Sequence, residues 1–113
     1  MRVINSETLF IFFEKRKGYK EITKIFMDAV NKRQEILLSA VDWADFYSAV
    51  ISRYGKIKAS EIKKTIAWLP VKIVEVDAVT AEKAAVLEAE GNNKNICYSM
   101  ALAKSRSAEL VVF

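Results

Sequence analysis

Residues 35–50 read EILLSAVDWADFYSAV. Ile36-Leu37-Leu38 is a continuous apolar run, as expected of a strand covered on both faces. It leads into Asp42 and Asp45, and Asp42 is expected to start and cap the next helix. That helix is apolar on most sides, runs to about Tyr54 and closes at Gly55, so it belongs at the centre of the fold. Residues 2–13, RVINSETLFIFF, repeat the arrangement. A short strand over Arg2–Ile4 ends at Asn5-Ser6-Glu7. Ser6 is the expected N-cap of a helix carrying Leu9, Phe10, Phe12 and Phe13. In a parallel sheet the two junctions lie side by side at the carboxyl ends of the strands, where open α/β folds place their ligands.

Outward from these stretches the pattern continues. Gly18 marks a break, and Tyr19–Gln34 spaces Ile22, Ile25, Phe26, Ala29 and Val30 as a helix does. Ser60–Leu69 predicts an amphipathic helix stopped by Pro70. Val71–Val76 alternates as a third strand. Asp77 is placed to cap an Ala-rich helix over Ala78–Glu90. Gly91-Asn92-Asn93 predicts a loop, residues 95–106 a further helix, and Glu109–Phe113 a fourth apolar strand. Helices alternating with apolar strands predict a three-layer α/β sandwich, a mostly parallel sheet of about four strands flanked by helices.

Composition bounds the function. At 113 residues the chain makes one domain, 1–113, with 52% apolar and 28% charged residues, enough to bury a core. No apolar run is long enough to span a bilayer, and the N-terminus has no signal-peptide pattern. Cys97 stands alone, so no internal disulfide and no zinc signature is expected, and the setting expected is cytoplasmic. There is no His, which removes the commonest general base and the commonest transition-metal ligand. Catalysis would rest on carboxylates, Lys, Tyr or a hard cation. A net charge of +4 allows a polyanionic partner.

The order of motifs resembles a known family. VINSETLF (3–10), LLSAVDWADFYSAV (37–50), WLPVKIVEVDAVTAEKAA (68–85) and NICYSMALAKSRSAELVVF (95–113) follow the pattern of a PIN domain of the VapC toxin type, over essentially the whole chain. The resemblance implies a ribonuclease that gathers carboxylates around Mg²⁺ or Mn²⁺, pairs with an antitoxin protein and forms a homodimer. A hard cation needs anionic oxygens, and its charge offsets the charge that develops on the phosphate.

Carried over residue by residue, the family's acidic set is depleted here. Its first position is Asn5, which keeps an oxygen but loses the charge. Its second is Asp45, in place of the usual Glu. Its third falls at Ile96, or at Asn95 with an offset of one. Its fourth lies beyond Phe113, which suggests a truncated or shortened member. Asp45, Asn5 and Ile96 are therefore the catalytic positions, the last two degenerate. Glu7, Asp42 and Asp45 form the alternative carboxylate cluster for a metal. Against that, Asp42 reads as a helix cap and Glu7 as a first-turn acid that suits the helix dipole. Lys15, Arg16, Lys17 and Lys94 are the candidate RNA contacts, with Lys56, Lys58, Lys63 and Lys64 as a second basic cluster. Trp43, Phe46, Tyr47 and Trp68 read as core or dimer packing. Leu9, Phe10, Phe12 and Phe13 offer more apolar surface than one helix face needs, which supports the dimer. Three readings stay open: a domain weak or inactive as a nuclease, an active Mg²⁺-dependent endoribonuclease using Asp45, Glu7 and Asp42, and a non-catalytic RNA- or protein-binding module.

Overall fold

The computed structural model describes all residues, Met1–Phe113. Four strands, β1 (Arg2–Ile4), β2 (Ile36–Ser39), β3 (Val71–Val74) and β4 (Glu109–Leu110), form one sheet in the order β3-β2-β1-β4. Every neighbouring pair is parallel, with Val3 level with Leu37 on one side and Leu110 on the other. The helices are α1 (Ser6–Phe13), α2 (Tyr19–Asn31), α3 (Ala40–Ile66), α4 (Ala78–Ala89) and α5 (Lys94–Ser105). The chain steps from β1 out to β2 and β3, then returns to lay β4 on the other side of β1. The order therefore reverses at β1, and the crevice beyond β1 and β4 is the topological switch point.

Alternation along the strands builds two cores. Ile4, Ile36 and Leu38 face α1, α2 and α3, packing with Leu9, Phe26 and Phe46. Val3, Leu37 and Val74 face the opposite side, against Leu102 and Ala103 of α5. Helix α4 packs on α5 through Ala84, Leu87, Cys97 and Ala101. Phe46 is the largest fully buried side chain. Its ring lies 4.8 Å from Phe10 and 5.9 Å from Phe13, and Phe12 lies 4.9 Å from Phe26. The aromatic residues of α1 thus pack against this domain's own core, Phe10 within it and Phe12 and Phe13 at its edge. Leu9 is buried there with Phe10, while Phe12 and Phe13 stay half-buried. The exposed apolar side chains stand elsewhere. Met27 and Val30 are on α2, and Trp68, 89% exposed, is on the turn before β3.

Several boundaries differ from those read in the sequence, each for a physical reason. The two helices expected over 42–54 and 60–69 form one element, kinked at Gly55, whose φ of 88° and ψ of 169° are not helical. The third strand stops at Val74, because its partner strand ends at Ser39 where α3 begins. The fourth stops at Leu110, since β1 ends at Ile4 and Asn5 turns away to start α1; Val111 still donates its N–H to the Val3 carbonyl at 2.9 Å. Helix α2 ends at Asn31 rather than Gln34. Arg33 adopts a left-handed φ of 52°, and Gln34 donates back to the Ala29 carbonyl at 2.8 Å, a Schellman-type closure.

Candidate functional site

Both strand-to-helix junctions are tighter than the sequence suggested. Asn5, not Ser6, caps α1. Its backbone is extended, and its Oδ1 accepts the Thr8 N–H and the Thr8 hydroxyl, each at 3.1 Å. Ser39, not Asp42, caps α3. The Asp42 N–H donates to Ser39 Oγ at 3.0 Å, the helix cap, and that hydroxyl in turn donates to Asp42 Oδ2 at 2.6 Å. The last strand residue, or the one after it, is itself the cap at each junction, so no loop intervenes. At α5 the cap is Asn93, which accepts the Asn95 N–H at 2.9 Å.

The starts of α1, α3 and α5 and the chain's final residues surround a cleft of about 620 Å³ at the switch point. Asn5, Glu7, Asp45, Lys94, Asn95 and Ile96 all line it. The degenerate positions and the alternative acid Glu7 therefore share one hollow. Asp42, Lys15, Lys17 and the basic cluster on the second half of α3 do not line it. Arg16 reaches it indirectly, through an ion pair with Glu7 at 3.1 Å. Sequence reading missed Tyr98 and Phe113, which also line the cleft. Tyr98 follows Lys94 by four residues, one helical turn on the same face, so periodicity could have found it. Phe113 carried no such signal. It is placed by packing over Gly18, where an added Cβ would come within 3.3 Å of its ring.

The acids differ in environment. Asp42 is only 2% exposed. Burial pushes its carboxyl up to about 6; the Ser39 hydroxyl and the Ser6 backbone N–H oppose that, and the charge of Asp45 adds to it. Glu7 is exposed and engaged by Arg16. Asp45 is exposed at the cleft. Burial likewise pushes the Cys97 thiol up, and its Sγ–H donates to the Asn93 carbonyl at 3.2 Å, which suits packing and not nucleophilic attack.

These residues do not fit a divalent ion. The Asn5 oxygen is used by the cap, Ile96 has no donor atom, Asp42 is enclosed and hydrogen-bonded, and Glu7 is paired with a guanidinium. No three Asp, Glu, Cys or His side chains gather closely enough to hold an ion, so the cluster of Glu7, Asp42 and Asp45 expected from the sequence does not form. Asp42 is instead buried, its carboxyl held by the Ser39 hydroxyl and the Ser6 backbone N–H.

A second cavity of about 560 Å³ lies between α1 and α3, separated from the first by Phe10, which lines both. At its rim the Tyr54 hydroxyl donates to Glu14, whose carboxyl is held below its usual value by that bond first and by Arg16 and Arg53 after it. The Arg53 guanidinium sits 4.5 Å over the Phe10 ring.

Known family models and curated proteins give no match to this chain. Solved structures do. A toxin–antitoxin complex from Klebsiella pneumoniae superposes with a TM-score of 0.75 over 99% of this chain and 85% of its own, at 13% identity. VapC20 of Mycobacterium tuberculosis, described as a toxin that cleaves the sarcin-ricin loop, gives 0.72 over 100% and 89%, at 10% identity. VapBC2 of Rickettsia felis, solved with a DNA fragment from its promoter, gives 0.69 over 98% and 85%, at 15% identity. The chain has the fold of the VapC toxins. Its parallel four-stranded sheet between helical layers is the PIN-like architecture that the order of sequence motifs implied, and at these identities the likeness is one of fold. No helix of this VapC-like fold is long and apolar enough to cross a membrane.

Proposed function

We propose that this is a VapC-like protein that binds RNA at the switch-point cleft and is weak or inactive as a nuclease. One observation carries the reading. Asn5, Asp45 and Ile96 meet on a single cleft, and only Asp45 among them can carry charge. A water attacking a phosphodiester needs a hard cation or a base to activate it, and the phosphate needs its developing charge offset. One unsupported carboxylate can at most take a proton from that water, and as an anion it cannot offset charge on the phosphate. The basic excess of the chain and Lys94 at the cleft support an RNA ligand. The neighbours described as a toxin–antitoxin complex and as VapBC2 support an antitoxin-like protein as partner.

The test is thermal melting with millimolar Mg²⁺ or Mn²⁺, run beside an RNA cleavage assay. An ion held at ten times its Kd would stabilise the fold by about 1.4 kcal/mol. No rise in Tm and no metal-dependent cleavage are expected. A rise that Asp45→Asn abolishes, together with cleavage, would establish the active enzyme instead and refute this proposal.

A further inference from the structure

Two donors on the cleft, the Asn5 amide and the Lys94 ammonium, have no partner within the protein. Asn5 is 6% exposed, and both bonds to its side chain fall on Oδ1. Its Nδ2 makes no hydrogen bond to the protein. No fully enclosed side-chain nitrogen in the molecule lacks a partner, so this amide nitrogen keeps contact with solvent, and Asn5 lines the cleft. Lys94 lines the same cleft and forms no ion pair. Of the two lining carboxylates, Glu7 is matched by Arg16, which leaves Asp45 alone against Lys94. The amino-terminal ends of α1 and α5 open here as well, and each adds partial positive charge from its first N–H groups.

We propose that the cleft holds a phosphoryl oxyanion directly, through Asn5 Nδ2 and Lys94, with no bridging divalent ion. This rests on the reading of the cleft as an RNA site and names the group it grips. An ionised Asp at position 5 accepts hydrogen bonds only and repels an anion. The amide donates toward it while its oxygen keeps the helix cap. An amide in place of an acid here thus removes one negative charge from the floor of the cleft and adds a donor that an anion can accept from. The phosphoryl group belongs either to an RNA backbone or to free phosphate, and two probes separate them.

The experiment follows backbone amide resonances while inorganic phosphate or a short oligouridylate is added, in excess EDTA. Asn and Asp cap helices about equally well, so Asn5→Asp keeps the fold, and its melting curve verifies this. Both probes are expected to shift residues 5–8 and 93–96 in the native protein. Asn5→Asp should weaken each by about tenfold or more, and Lys94→Gln should weaken each while flattening the salt dependence. Binding that requires Mg²⁺, equal binding by Asn5→Asp, or no binding of either probe would overturn the proposal. Asn5-dependent binding of phosphate without the oligonucleotide supports it and removes the RNA reading. Oligonucleotide binding indifferent to Asn5→Asp removes it and leaves the RNA reading standing.

Discussion

Asp42 shows how a residue's place in the fold decides its chemistry. Its carboxyl titrates near 6 in the folded protein, against 3.8 as its ordinary value. Below 3.8 both folded and unfolded chains hold the proton. Between the two values only the folded chain holds it, so this group's contribution to stability is full at low pH and is lost as pH rises through 6. A difference of that size amounts to about 3 kcal/mol. Glu14 and Asp77 are shifted down, so their contributions run the other way and fade only on acidification below their ordinary values. Tm should therefore be higher near pH 5 than near pH 7.5, and Asp42→Asn should flatten that slope; scanning calorimetry across this range checks it. Asn5→Ala tests the neighbouring junction. It removes the acceptor for two Thr8 groups and should cost about 1–2 kcal/mol, whereas Asn5→Asp should cost little.

Helix α3 carries the fold's central packing and its main irregularity. Phe46 sits between Phe10, Phe13 and Trp43, fully enclosed. Phe46→Ala should cost about 3–5 kcal/mol in urea unfolding, a large share of a small domain's stability. Gly55 is the opposite case, with nothing within 4 Å of a Cβ placed there. Its φ and ψ nevertheless lie in a region that side-chain-bearing residues avoid. Gly55→Ala should cost about 1–3 kcal/mol through the backbone alone, and a melting scan reads it. Gly55 was legible in the sequence as the end of a helix. That the chain resumes a helix directly after it was not, because the continuation is held by Ala59, Ile62 and Ile66 entering the same core.

For the whole molecule, most of the basic residues behind the net charge of +4 stand away from the cleft or face acids. Arg16 is occupied by Glu7 and Glu14, Arg53 by Glu14, and Lys58 by Glu61. Lys94 is the lysine at the cleft. RNA affinity should therefore fall gently with salt. Each phosphate neutralised on a single strand contributes a slope of about −0.7 in log K against log salt, so a slope no steeper than about −1.5 is expected from fluorescence anisotropy. Trp68 should behave as a water-exposed indole, and Trp68→Ser should change stability by less than about 0.5 kcal/mol.

The amino-acid sequence alone determined the order of elements, the parallel sheet and the meeting of two strand ends, because strand and helix periodicities and apolar runs are local signals that survive without contacts. It also determined that Asn5 and Ile96 cannot carry charge. Tertiary structure decided the rest of the site. Which residue caps each helix, whether Asp42 faces the cleft or the interior, whether Glu7 is free or held by Arg16, and that Phe113 folds back over Gly18 are questions of distance between residues far apart or differently turned. Such distances are set by packing, which no local pattern records.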